Sequence, residues 1–331
     1  MTVDPQLLND RIAAAHGVIT ALRGEIGRVI VGQHELVDRL IIALLIRGHL
    51  LVEGVPGLAK TLVVKTLAAA IDATFHRVQF TPDLLPADIT GTLIFDPPTG
   101  KFNPRFGPIF ANLLLADEIN RAPGKVQSAL LEAMQERQVT IGGLSYRLPD
   151  PFVVMATQNP IEHEGTYALP EAQVDRFVMK VLVDYPGPDE ELRMLELYLD
   201  PRVDRIPVRK VIGTAEIAEL AELVALVHVD RRISSYAVDL VSATRDPARF
   251  GLQALRRQIA YGASPRATLA LVHAAKGFAF LQGRPFVIPE DVKAIAHEAL
   301  RHRLLLTYEA AAERVTPDRL VDQILAAVPV P

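Results

Sequence analysis

The stretch LLVEGVPGLAKTLVV, residues 50–64, decides how the rest of the chain is read. It fits the phosphate-cradling pattern G-x-x-x-x-G-K-[ST] at Gly54, Lys60 and Thr61, with Ala59 standing where the pattern has its second glycine. Its context is the one a phosphate loop needs: an apolar strand before, a helix after, and a lysine at the helix N-terminus. Backbone N–H groups of such a turn and the dipole of the following helix both favour a polyphosphate. Gly54 and Gly57 admit backbone conformations that a Cβ hinders. Ala59 adds only a methyl group, which is tolerable where the backbone is already close to helical. In this pattern Lys60 reaches the β- and γ-phosphates, and the Thr61 hydroxyl meets Mg²⁺. The competing reading is an ordinary strand–helix turn that happens to precede a lysine.

Working outward, short apolar runs alternate with helical segments from about residue 50 to residue 183. HLLVE (49–53), TFHRVQF (74–80), NLLLAD (112–117), FVVMAT (152–157) and FVMKVLV (177–183) read as strands. Nearly continuous apolar runs suit a parallel sheet covered on both faces. The Ala-, Leu- and Val-rich segment between the first two is long enough for a crossover helix, which makes a βαβ unit with the glycine turn at its first junction. Two hairpins interrupt this plan. Residues 92–107 place β-formers around a Pro-Pro-Thr-Gly turn, and residues 137–148 place them around Gly142-Gly143. Such insertions more often contact a partner than close a sheet.

After DYPGPDEE (184–191) the character becomes helical. Pro188 and the acids behind it mark a helix start. Ile217, Leu220, Val224 and Val227 form one apolar stripe. Ser264 and Pro265 open a helix that ends at Gly283, and IPEDVKAIAHEALRHR starts another. The expected organisation is an N-terminal helix (1–25), an α/β domain (26–186) and a helical domain (187–331).

The sequence of 331 residues is half hydrophobic and 22% charged, with a net charge of −4. Nothing in that balance attracts the whole chain to nucleic acid or acidic lipid. There is no cysteine, which excludes disulfides, thiolate catalysis and cysteine-ligated zinc. The run LIIALLI (40–46) is far short of the ~20 apolar residues of a membrane span. The acidic N-terminus carries no signal-like apolar core, so a cytoplasmic location is expected.

Three further stretches could complete a phosphoryl-transfer site. LLLADEIN (113–120) ends an apolar strand in Asp117 and Glu118. Alone they read as solvated acids at a strand end. Beside a phosphate loop, the first would hold Mg²⁺ and the second would orient or deprotonate a water. MATQNP (155–160) puts Gln158 and Asn159 at another strand tip. Arg176 in LPEAQVDRF precedes a strand, and Arg266 in ASPRAT lies on the first turn of a helix, where the dipole disfavours a cation unless a polyphosphate is near.

In this order, GVPGLAKT, LLLADEINRAPGKVQSALLEAMQERQVTI, ATQNP, LPEAQVDRF and GASPRA resemble the MoxR family of AAA+ ATPases, over roughly residues 28 to 310. Alanine in GLAKT is the usual form there, so the resemblance favours the phosphate-loop reading. It implies an AAA+ α/β domain with a parallel sheet and a smaller all-helical lid. It also implies ATP or ADP and Mg²⁺ as ligands, and a homo-oligomer with a hexameric ring as its form. The hairpins look like a helix-2 insert and the hairpin before the sensor strand.

By position, Val31 and Gly32 in VIVGQ lie beside the adenine. The loop residues Gly54, Val55, Pro56, Gly57, Leu58, Ala59, Lys60, Thr61 and Leu62 contact the nucleotide. Lys60, Thr61, Asp117 and Glu118 take the Walker roles, with Thr61 and Asp117 at the metal. Asn159 is sensor 1, Arg266 sensor 2, and Arg176 the finger reaching a neighbour's ATP, with Arg121 as the alternative finger.

The function so implied is protein remodelling or maturation, with von Willebrand factor A-domain proteins among its partners. A nucleic-acid motor and a metal-chelatase motor subunit are the competing classes. Lys101, Arg105, Arg137 and Arg147, on or beside the hairpins, could form a basic ring for the former. The negative net charge and the lack of aromatics interleaved with those bases argue against it.

Overall fold

The computed structural model describes residues 5–55, 57–160, 166–199 and 207–331. In chain order it holds α1 (Pro5–Gly27), α2 (His34–Leu45), β1 (Leu50–Glu53), α3 (Lys60–Ala70), β2 (Phe75–Gln79), α4 (Pro86–Thr90), β3 (Gly91–Asp96), β4 (Lys101–Phe106) and β5 (Leu113–Asp117). Then come α5 (Gly124–Glu136), β6 (Gln138–Ile141), β7 (Leu144–Arg147), β8 (Val153–Gln158), α6 (Glu171–Val174), β9 (Met179–Leu182), α7 (Pro188–Leu199), α8 (Thr214–Leu226) and α9 (Arg231–Arg245). The last elements are β10 (Ile259–Tyr261), α10 (Pro265–Leu281), α11 (Pro289–Leu300), β11 (Leu305–Leu306), α12 (Tyr308–Ala312) and α13 (Pro317–Ala327). Among the described residues no helix is long and apolar enough to cross a membrane.

Two compact units divide the chain. One comprises Val18–Arg176 with Val181–Glu219; the other comprises the residues up to Gly17, Phe177–Lys180 and Leu220–Pro331. The division expected at Gly187 thus falls earlier than the compact one, at Leu220. Backbone explains why the intervening chain groups with the sheet. The N–H of Arg209 donates to Glu25 Oε1 at 2.8 Å, and that of Val211 to Ala70 O at 2.8 Å. Lys210 Nζ meets Asp72 at 2.8 Å, and Ile212 is buried.

The first unit is built on a five-stranded sheet in the order β2-β5-β8-β1-β9. β2, β5, β8 and β1 pair in parallel, with Gln79 opposite Asp117, Ala116 opposite Ala156 and Val52 opposite Thr157. Leu113, Leu114, Leu115 and Ala116 are fully buried, as a central strand covered on both faces demands. β2 is the polar exception; as an edge strand it exposes His76, Arg77 and Gln79. The parallel pairing puts the carboxyl ends of β2, β5, β8 and β1 on one edge, where parallel α/β sheets bind ligands.

Both expected hairpins form. β3 pairs antiparallel with β4, and β6 with β7 across Gly142 and Gly143, whose φ of 59° and 85° suit a two-residue primed turn. The hairpins touch one another: the Phe106 and Tyr146 rings lie 5.1 Å apart, and a Cβ on Gly142 would strike Leu93. Phe95, Phe102 and Leu144 remain exposed on them.

In the second unit, α9, α10, α11 and α13 bury Leu240, Leu271, Phe280, Val292, Ile295, Leu320 and Ile324. Ser264 caps α10 as expected, accepting from the Arg266 N–H at 3.1 Å, and Gly283 follows its end at φ 71°. α11 starts differently, because Ile288 has no capping oxygen. Buried Asp291 in its first turn instead accepts the Ile288 N–H at 2.9 Å and forms a part-buried ion pair with Arg284. To these helices is added a short antiparallel ladder, β10–β11. Behind α11, Arg301, His302 and Arg303 donate to backbone carbonyls of Lys180 (3.0 Å), Phe177 (3.1 Å) and Val178 (3.2 Å).

Candidate nucleotide site

A cavity of about 390 Å³ opens at the carboxyl edge of the sheet, lined by Gly57 to Leu62 on the loop and α3, by Arg77 and Gln79 on β2, by Asp117 and Glu118 after β5, and by Thr157 and Asn159 at the end of β8. Charge is separated across it. The N-terminus of α3 and Lys60 supply the positive side, and two carboxylates face them.

The two loop glycines answer different constraints. Gly54 is required by crowding, since a Cβ there would stand 2.6 Å from Val183 O. Gly57 has open space for a Cβ but a φ of 90°, which only glycine adopts without strain. The condition under which an alanine is tolerable here, a backbone already close to helical, is not met in the right-handed sense: Ala59 is left-handed, at φ 53° and ψ 15°, and it precedes α3 as its N-cap. The pattern's glycine is therefore explained by backbone conformation and not by room, and the alanine carries a strain of about 1 kcal/mol. Pro56 lies outside the described residues.

Lys60 folds over the loop and donates to Gly54 O at 2.6 Å. Burial pushes its ammonium pKa down, and the Asp117 and Glu118 carboxylates pull it back up. Opposite it, Thr157 brackets both acids. Its buried hydroxyl donates to Asp117 Oδ1 at 2.6 Å and accepts the Glu118 N–H at 2.8 Å. That second bond helps hold Glu118 in a left-handed conformation, φ 55° and ψ 51°, which turns the chain sharply after the strand. On β2, Arg77 grips Asp117 Oδ2 through Nη2 at 2.6 Å, and Gln79 Nε2 donates to Glu118 Oε2 at 2.6 Å. Arg121 reaches the same Glu118 oxygen at 2.9 Å.

Sequence reading missed Arg77, Gln79 and Thr157. Thr157 left a signal, a hydroxyl at the tip of an apolar strand. Arg77 and Gln79 left only their spacing of two, which puts both on one face of a strand.

The donor set fits a magnesium nucleotide. Thr61 and Asp117 bring hard oxygens to the cavity that also holds Lys60. Among the described residues no three His, Cys, Asp or Glu side chains gather into a metal site of their own, so the remaining ligands would be phosphate oxygens and water.

Comparison with known proteins agrees with this geometry. The ATPase family associated with various cellular activities (AAA) matches residues 49–179, and the AAA lid domain matches residues 253–324. Chaperone MoxR1 of Mycobacterium tuberculosis is 49% identical over 93% of this chain and 81% of its own length. Protein MoxR of Methylorubrum extorquens is 31% identical over 99% of this chain and 98% of its own. The chain belongs to the MoxR family of AAA+ ATPases. A crystal structure of a provisionally assigned ATPase from Cytophaga hutchinsonii superimposes on it with a TM-score of 0.92, at 46% identity, covering 97% of this chain and 98% of that one.

Within this MoxR-family chain, all residues lining the cavity fall inside the AAA match, and Arg266 falls inside the lid match. The other expected site residues lie elsewhere. Gly32 lines a separate cavity of about 200 Å³ between α1 and α2, with Arg23, Ile30, His34 and Asp38; Val31 adjoins it in sequence. Glu190 packs so closely on Gly32 that a Cβ there would stand 2.9 Å from its carboxylate. Gly54 and Val55 lead into the loop. Arg176 follows α6 and does not line the phosphate cavity; its Nε is buried without a hydrogen-bond partner among the described residues. Arg266 stands exposed on the first turn of α10.

Proposed function

We propose that the chain hydrolyses ATP in the cavity between α3 and Asp117–Glu118, and spends the cycle on remodelling client proteins as a ring of identical subunits. The observation that carries the first part is the Thr157 bracket, which fixes the Asp117 carboxylate and the Glu118 backbone at the cavity of Lys60. In this reading Lys60 neutralises the β- and γ-phosphates. Thr61 and Asp117 hold Mg²⁺, which when bound offsets the charge of the phosphates. Glu118 orients the attacking water and takes its proton, and Asn159 holds the water or the γ-phosphate. Val31 and Gly32 flank the adenine, Arg266 is the lid's sensor, and Arg176 completes the neighbouring subunit's site. The ring has six subunits, and its clients include proteins with von Willebrand factor A domains.

Protein rather than nucleic acid is favoured as client by the hairpins. Their exposed side chains include Phe95, Phe102 and Leu144, an apolar surface. Of the four bases that could form a ring there, Arg137 is committed to the Arg47 carbonyl at 2.6 Å.

Two measurements test the reading. Lys60→Ala should bind ADP and ATP about 10–100-fold more weakly, the worth of a charge-assisted contact to phosphate; unchanged affinity would remove Lys60 from the site. Single-stranded DNA should bind weakly and leave hydrolysis unchanged. Tight, steeply salt-dependent binding that accelerates hydrolysis would make the chain a nucleic-acid motor instead.

A further inference from the structure

Asp117 has both carboxylate oxygens engaged. Oδ1 accepts from Thr157 at 2.6 Å, and Oδ2 accepts from Arg77 twice, from Nε at 3.0 Å and Nη2 at 2.6 Å. The two partners differ in kind. Thr157 is neutral and buried, so it can stay where it is when the charge opposite changes. Arg77 is a cation on the edge strand with 48% of its side chain exposed, and it lines the same cavity as Lys60 and Thr61. A guanidinium and a hydrated divalent cation are alternative partners for one carboxylate oxygen, because each is positive and each uses its lone pairs. Held together on Oδ2 they would also repel at short range. The same Nη2 also donates to Gln79 Oε1 at 2.9 Å, and Arg77 and Gln79 share one face of β2.

We infer that Arg77 competes with the magnesium ion for Asp117: without the metal it stays on Asp117 beside the phosphates, and it gives up Asp117 when the metal binds. This rests on the reading of the cavity as a magnesium-nucleotide site. Arg77 is then a nucleotide-binding residue on β2 that substitutes for the metal in its absence, and it makes the site less dependent on Mg²⁺ than Lys60, Thr61 and Asp117 alone would be. The competition has a signature that a merely structural arginine lacks. Removing the guanidinium weakens binding of metal-free nucleotide, because a cation beside the phosphates is lost. It strengthens or preserves binding of the magnesium complex, because Asp117 is freed.

The test is ADP affinity of the purified full chain, measured by titration in excess chelator and again in saturating Mg²⁺, for the wild type, Arg77→Met and Arg77→Lys. The ratio of the affinity in Mg²⁺ to that in chelator should rise about tenfold in Arg77→Met, the size of one charge-assisted hydrogen bond. It should return toward the wild-type value in Arg77→Lys, which keeps the charge. Far-ultraviolet circular dichroism confirms that each variant is folded, and Arg77→Gln replaces Arg77→Met if that one is not. An unchanged or lower ratio in the charge-removing variant, or Arg77→Lys behaving like it, overturns the competition while leaving the site reading intact. If the wild type itself binds ADP with no response to Mg²⁺ in either direction and Lys60→Ala binds equally well, the site reading fails and the inference with it.

Discussion

Thr157 is the residue on which the geometry of the site depends most. Its hydroxyl is bonded both to the Asp117 carboxylate and to the backbone N–H of Glu118. Thr157→Val keeps the shape and leaves a buried N–H and a carboxylate oxygen without that partner. It should cost about 1–3 kcal/mol in a denaturant titration and slow hydrolysis more than it weakens nucleotide binding. A variant as stable and as active as the wild type would show the bracket to be dispensable. Ala59→Gly should do the opposite and raise stability by about 0.5–1 kcal/mol, because relief of left-handed strain outweighs the added freedom of the unfolded chain. A clear loss of stability would mean that the methyl group packs usefully. These two residues also show where sequence reading stops at this scale. Lys60, Thr61, Asp117, Glu118 and Asn159 were legible because each lies in a contiguous motif at a strand end. Arg77 and Gln79 were not, because their partners Asp117 and Glu118 become neighbours only when β2 pairs with β5. The handedness of Ala59 was not legible, because room for a methyl group says nothing about φ.

Among the elements, the strand and helix pattern was the readable part. β5 announces itself by burial on both faces, and α10 by its serine cap and following glycine. The ladder β10–β11 is too short to leave a pattern, and residues 207–213 group with the sheet through backbone bonds that no side-chain periodicity reports. Two elements are anchored by neutral histidines. His49, just before β1, donates from Nε2 to Met134 O at 3.2 Å and accepts the Val154 N–H on Nδ1 at 3.0 Å. Burial pushes its pKa from the ordinary 6.5 down to about 4. His302, behind α11, is likewise pushed well down by burial and by Arg303. A histidine held neutral contributes stability that is full above its unfolded pKa and is lost as pH falls toward its folded pKa, since the unfolded chain takes up the proton first. Below pH 6.5 each should therefore cost up to about 1.4 kcal/mol per pH unit. Denaturant titrations at pH 7 and pH 5 should show a smaller loss for His49→Gln than for the wild type. Equal losses would mean that His49 titrates normally.

At the scale of the whole molecule, Arg176 is the residue proposed to connect subunits. In the proposed ring Arg176 serves the neighbour's ATP, so Arg176→Ala should bind ATP almost normally and hydrolyse it about 10³–10⁵-fold more slowly. Mixed with Lys60→Ala subunits, which keep an intact Arg176, it should regain part of its activity. Mixed rings that form and stay inactive would point to Arg121 or to a finger in cis. The family was legible in the sequence because its motifs are specific; the client was not, because no local pattern encodes the surface that the hairpins meet. Beneath all of this lies the claim that Asp117 and Glu118 carry out hydrolysis in the cavity of Lys60. The most direct test is Glu118→Gln, with ATP affinity and steady-state phosphate release measured on the same preparation. Affinity should stay within a few-fold of the wild type while turnover falls about 10²–10⁴-fold, the usual worth of a positioned base. Wild-type turnover in Glu118→Gln would contradict the account.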